Sequence, residues 1–254
     1  MIAGSARLDQ AFQTTQLIPF LTADFPTPAL FLEILYKLAD AGIQIIEIGI
    51  PFSDPIADGT VIQQASQIAL KNNFSIPPLL DHLSDFRQAF PQVALVIMSY
   101  MNPVYHYGLT AFYAALKARD IDGLLLVDYP VSAPITDAGI AMIRLVAPNT
   151  TLDRLRQITP TASGFLYYIS QHATTGTTEM APDYTHLALV KQHSPLPVVV
   201  GFGIQSAPLV AKLNCIADGV VIGSAFLKPF LTDTRPSVVT NQLDYIKALK
   251  ERVK

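Results

Sequence analysis

Short runs of consecutive apolar residues alternate with amphipathic stretches along the whole chain. The runs predict eight strands: Leu17–Leu21, Gln44–Ile48, Val93–Met98, Asp122–Val127, Ile140–Val146, Gly164–Ile169, Leu196–Val200 and Gly219–Ile222. Several are apolar at consecutive rather than alternate positions, the pattern of parallel strands covered on both faces. Helical periodicity fills the gaps. In ALFLEILYKLADAG the stripe is Leu30, Phe31, Ile34, Leu35 and Leu38, opened by Thr27-Pro28 and closed by Gly42. Further helices are predicted over Thr60–Leu70, Pro78–Phe90, Thr110–Arg119, Leu152–Ile158, Tyr184–His193, Ala207–Leu213 and Leu243–Val253, with Ser206 and Thr110 as caps.

Eight strand–helix repeats predict a parallel, eight-stranded (β/α)8 TIM barrel, one domain over residues 1–254. No linker or composition shift divides the chain. An open doubly wound sheet is the alternative, but Thr22-Ala23-Asp24-Phe25-Pro26 after the first strand carries no phosphate or dinucleotide signature. Between Val127 and Ile140, Pro130 and Pro134 leave only Ile135–Ala138 for a helix, so the fourth helix is expected to be short.

Composition narrows the class. Half of the 254 residues are hydrophobic, which supplies a large core, while 15% charged residues and a net charge of −3 argue against nucleic-acid binding and disorder. No apolar run approaches the ~18–20 residues that span a bilayer, and MIAGSARLDQ holds no signal-peptide core. The single cysteine, Cys215, is assigned to packing, and no Cys/His spacing resembles a metal site. A soluble, cytoplasmic enzyme is the expectation.

In a barrel the working groups lie at the C-terminal ends of the strands. The second strand, Gln44-Ile45-Ile46-Glu47-Ile48-Gly49, carries one carboxylate, and alternation puts Ile45, Glu47 and Gly49 on the lumen face. Burial raises a carboxylate pKa toward the range useful for acid/base work; a buried ion-pair partner is the other reading of Glu47. The following loop, PFSDPIADG, presents a second carboxylate at Asp58, which alternatively caps the helix beginning near Thr60. Gly176, Gly203, Gly223 and Ser224 follow strands six, seven and eight, where barrels commonly hold phosphate on backbone N–H groups; ordinary turn glycines are the plainer reading. Tyr100 and Tyr167 fall near strand ends. The five histidines show no ligand spacing and read as surface or satisfied polar residues.

LIPFLTA, IEIGIPFSDPIADG, MSYMNPVYHYG, LLLVDYP, APNTTLDRLRQI, FLYYIS, GFGIQS and DGVVIGSA, in that order, resemble the tryptophan synthase alpha chain family over nearly the whole sequence. The resemblance implies a lyase that cleaves indole-3-glycerol phosphate to indole and glyceraldehyde 3-phosphate. It gives Glu47 the acid/base role, Asp58 the indole N–H, and Tyr167 a place beside the glutamate. It places Phe20, Met98, Tyr100, Leu125 and Val127 around the indole, with Thr175 touching the catalytic aspartate. Gly176, Gly203, Gly223 and Ser224 become the phosphate cradle.

The resemblance further implies a pyridoxal-phosphate beta chain as partner in an alpha2-beta2 complex, facing Pro51, Asp54, Asn102 and Pro103. Pyridoxal phosphate then belongs to the beta chain; no cofactor and no metal is expected in this chain. Departures include Gln171 where the family has arginine and Ala173 where it has glycine, Thr60 for a proline, and Ala23-Asp24-Phe25-Pro26 for Ala-Gly-Asp-Pro. They bear on coupling to the partner more than on chemistry. Two other readings are a weakly catalytic subunit that regulates the beta chain and another phosphosugar barrel enzyme; the retained carboxylates and PFSDPIADG argue against them.

Overall fold

A computed structural model of the chain describes residues 6–133, 139–169, 183–201 and 206–253. Eight parallel strands close into a barrel in chain order, β1 (Gln16–Thr22), β2 (Ile45–Gly49), β3 (Ala94–Ser99), β4 (Gly123–Leu126), β5 (Ala141–Val146), β6 (Leu166–Ile169), β7 (Val198–Gly201) and β8 (Gly219–Ile222), with β8 pairing β1. Nearly every strand residue is buried, because lumen side chains pack on one another and outward ones meet helices. All eight predicted strands form, with no end shifted by more than two residues and β8 as predicted.

The helices are α1 (Ala6–Ala11), α2 (Pro28–Asp40), α3 (Thr60–Lys71), α4 (Ile76–Ala89), α5 (Met101–Tyr107), α6 (Leu109–Ala118), α7 (Leu152–Ile158), α8 (Tyr184–His193), α9 (Ala207–Leu213), α10 (Ser224–Leu227) and α11 (Pro236–Lys250). Thr27 caps α2 by accepting from Leu30 N–H, and Ser206 caps α9 by accepting from Leu209 N–H. Gly42, at φ +77°, follows the end of α2. Three expectations are corrected. Gly108 rather than Thr110 stands at the start of α6, α11 begins at Pro236 rather than Leu243, and Cys215 is exposed rather than packed. Residues 127–133 after β4 form turns and bends; the expected helix at 135–138 lies outside the described residues.

The bottom of the barrel is closed by α1. A Cβ at Gly164 would lie 2.9 Å from Ala141 and 3.2 Å from Leu8, so this glycine leaves room for the Leu8 side chain, while one at Gly123 would lie 2.9 Å from Ile143 and 3.2 Å from Val96. Around this plug Asp122, wholly buried, accepts from Arg7 Nε at 2.7 Å, from Arg87 Nη2 at 2.6 Å and from Leu95 N–H at 2.8 Å. Asp218 repeats the device before β8, accepting from Val198 N–H at 2.7 Å and pairing with Lys191. These polar ties sit at the N-terminal end of the strands and leave the other end free for chemistry.

Candidate active site

Register sets the level of each lumen side chain. Phe20 lies beside Glu47, Glu47 beside Val96 and Val96 beside Gly123. One pleat nearer the C-terminal end, Thr22, Gly49, Met98 and Leu125 form the next row. Gly49 is small for a reason: a Cβ there would lie 2.4 Å from the Phe20 ring. The same happens across the barrel, where a Cβ on Gly201 would meet the Tyr167 hydroxyl at 2.0 Å. Phe20 and Tyr167 therefore owe their places to glycines on neighbouring strands.

Glu47 is 1% exposed, and neither carboxylate oxygen has a hydrogen-bond partner among the described residues. That disposes of the ion-pair reading. Burial, with a smaller contribution from Asp58, pushes its pKa up to about 8. Asp58 is held from several sides. Its N–H donates to Pro55 O at 3.1 Å, and its carbonyl accepts from Gln63 Nε2 at 2.8 Å. The Tyr100 hydroxyl donates to its carboxylate while accepting from Ala57 N–H at 3.0 Å. Burial raises the Asp58 pKa to about 7 against the lowering effect of that Tyr100 bond. Gly59, not Asp58, is the residue before α3, and no side chain caps that helix. The aspartate is thus spared for the lumen.

Tyr167 is 4% exposed, and burial, Glu47 and then Asp58 hold its hydroxyl well above the ordinary tyrosine range, so it stays protonated. Tyr100 is raised by burial and by Asp58, and its ring lies 5.3 Å from that of Phe52. A narrow cavity beside Asp58 is lined by Phe20, Met98 and Tyr100 from the predicted set, and by Thr22, Ile62, Ser66 and Ser99, which sequence reasoning missed. Thr22 stands two residues beyond Phe20 on the lumen face, a signal that alternation carried; Ser66 and Ser99 are small hydroxyl residues with no pattern of their own.

The remaining predicted residues divide by position. Leu125 is buried in the Met98 row, and Val127 is half-buried just past β4, donating its N–H to Ser99 O at 3.0 Å. Gly223 and Ser224 open α10 beneath Phe20 and Ile62, with a Gly223 Cβ at an ordinary 3.5 Å from each. Thr175, Gly176 and Gly203 lie outside the described residues. On the rim, Asp54 and Asn102 are exposed, Pro103 is half-buried and Pro51 is buried. Two large apolar side chains stand out in the same loops: Ile56 is 83% exposed and Tyr105 64%. Among the described residues no group of His, Cys, Asp and Glu is arranged to hold a metal ion, and no helix is long and apolar enough to cross a membrane.

The family model for the tryptophan synthase alpha chain matches residues 7–253. The chain belongs to the tryptophan synthase alpha chain family. A tryptophan synthase alpha chain of Cupriavidus taiwanensis is 39% identical over 249 residues, covering 95% of this chain and 94% of its own. Among solved structures, tryptophan synthase of Mycobacterium tuberculosis superposes with a TM-score of 0.86 at 29% identity, covering 98% of each chain. A tryptophan synthase complex from Pyrococcus furiosus gives 0.81 at 34% identity, covering 92% of this chain and 98% of its own. The reaction of the tryptophan synthase alpha chain family is cleavage of indole-3-glycerol phosphate in tryptophan biosynthesis.

Proposed function

We propose that Glu47 and Asp58 divide the cleavage of indole-3-glycerol phosphate between them, within one barrel domain. The observation that supports this most is their contrast: Glu47 is buried with no hydrogen-bond partner among the described residues, whereas Asp58 is held by Tyr100 and the loop backbone. Near neutral pH Glu47 carries a proton and Asp58 is the more readily ionised of the two. Glu47 gives its proton to C3 of the indole, and the positive charge this creates at the ring nitrogen is met by the Asp58 carboxylate accepting the N–H. The glutamate, now ionised, takes the proton of the glycerol hydroxyl next to the bond. The C–C pair collapses onto the ring, leaving indole and an aldehyde, and Glu47 is protonated again. Tyr167, whose hydroxyl feels the charge of both carboxylates and stays protonated, stabilises the ionised glutamate.

Phe20, Met98, Tyr100, Leu125 and Val127 enclose the indole, Thr175 touches Asp58, and Gly176, Gly203, Gly223 and Ser224 hold the phosphate. The rim that carries Pro51, Asp54, Asn102 and Pro103, with Ile56 and Tyr105 exposed beside them, receives the beta chain in an alpha2-beta2 complex. Pyridoxal phosphate serves the beta chain; the steps above use side chains alone. A cytoplasmic site of action suits such a pathway enzyme. Indole released from indole-3-glycerol phosphate by the purified chain, with and without beta chain, tests this. Slow release that rises strongly with the partner is expected; no indole under either condition would overturn it.

A further inference from the structure

We infer that Gln63 is a positioning residue that fixes the Asp58 peptide and, through it, the direction of the carboxylate, an inference that rests on the role proposed above for Asp58. The aspartate belongs to no strand or helix: it lies between the end of β2 at Gly49 and the start of α3 at Thr60. Packing holds this connection loosely. Asp54 is exposed, Ile56 is 83% exposed, and a cavity of about 300 Å³ is lined by residues 52–56 and by Gln63 and Gln67 of α3. Gly59 adds no side chain, and a Cβ there would meet nothing within 4 Å. The aspartate therefore depends on hydrogen bonds for its place.

Three of them act on three different groups. The Asp58 N–H donates to Pro55 O at 3.1 Å, within the loop itself. The carboxylate accepts from the Tyr100 hydroxyl, at the end of β3, whose oxygen accepts from Ala57 N–H at 3.0 Å. The carbonyl accepts from Gln63 Nε2 at 2.8 Å, and this bond ties the aspartate to α3. Gln63 is itself anchored, because its N–H donates to Gly59 O at 3.0 Å and opens the helical ladder. It thus holds two consecutive carbonyls, Gly59 O with its main chain and Asp58 O with its side chain. A planar peptide held at its carbonyl cannot swivel, so the backbone on both sides of the Asp58 Cα is set. Only the rotation of the carboxylate is left, and Tyr100 settles it. Without the Gln63 amide the peptide can turn, the carboxylate drifts from Tyr100, and the bond that favours its ionised form weakens.

Steady-state kinetics of indole release by the full chain, measured across pH, test the inference. Gln63→Met keeps the length and loses the donor. It is expected to lower kcat about tenfold and leave KM within about twofold, because charge at the indole nitrogen develops only in the transition state. Its acidic limb of kcat/KM is expected at higher pH than in wild type, since Asp58 ionises less readily away from Tyr100. Gln63→Glu, alike in shape and without a donor when ionised, is expected to match it. Gln63→Lys, a donor of similar reach, is expected to recover most of kcat and the position of the limb. Gln64→Met, at an exposed position on the same helix, is expected to behave as wild type. A Gln63→Met variant that loses thermal stability but keeps its kcat and its acidic limb would overturn the inference and leave a structural contact. A Lys variant no better than the Met variant would overturn it as well. Asp58→Asn separates the inference from the reading beneath it. A fully active Asp58→Asn, or a wild type that releases no indole, sinks the role of Asp58 and the inference with it. An inactive Asp58→Asn beside an unchanged Gln63→Met sinks the inference alone.

Discussion

Glu47 and Asp122 are both buried carboxylates, and their surroundings send them to opposite tasks. Asp122 sits between two arginines and a backbone N–H, whereas Glu47 has no hydrogen-bond partner among the described residues. A carboxyl in the second situation is easier to keep protonated, and the folded chain binds that proton up to about pH 8, against 4.5 for a free glutamate. Between those values the unfolded state is ionised and the folded state is not. Stability therefore falls as pH rises through this window, by roughly 5 kcal/mol at most once both states are ionised. Glu47→Gln removes the dependence. Urea denaturation is expected to find the variant close to wild type below about pH 4 and more stable by several kcal/mol near pH 9. A variant no more stable than wild type at the higher pH would mean that Glu47 is not held in its neutral form.

At the scale of strands and helices, the site depends on small residues placed opposite large ones. Gly201→Ala puts a Cβ 2.0 Å from the Tyr167 hydroxyl, and neither strand can easily give way. A loss of about 1–3 kcal/mol in stability is expected, with indole release reduced by up to about 100-fold as Tyr167 is displaced. Calorimetry and an indole assay check both parts. This packing was only partly legible beforehand. The strands were readable because parallel barrel strands are continuous apolar runs, and Glu47 stood out as the one carboxylate in the interior of such a run. Helices α1 and α10 were missed because six and four residues hold too little periodicity to register, and α5 because Pro103 interrupts its short run MNPVYHY. The start of α11 was lost for a different reason: Ser237, Val238, Val239 and Thr240 lack a clear stripe, and β-branched residues read as poor helix formers. That Gly201 is where Tyr167 needs room depends on strand register, which local pattern does not specify.

The whole molecule has a sealed end and a working end. Leu8 and the Arg7–Asp122–Arg87 cluster close the bottom, far along the strands from Asp58 and the exposed Ile56 and Tyr105. Removing Asp122 leaves Arg87, 9% exposed, without its closest counter-charge; Asp122→Ala is expected to cost about 3–5 kcal/mol, read by urea denaturation, while a folded sample keeps its kcat at low temperature. The central claim concerns the other end, where a protonated glutamate and an ionised aspartate act together. The pH dependence of kcat/KM for indole release, in wild type and in Glu47→Gln, tests it most directly. The wild type is expected to give a bell with apparent values of about 7 and about 8 that belong to the pair, and Glu47→Gln a rate lower by roughly 100- to 10,000-fold at every pH. A wild-type profile flat from about pH 6 to about pH 9, or a Glu47→Gln variant as fast as wild type, would contradict the account.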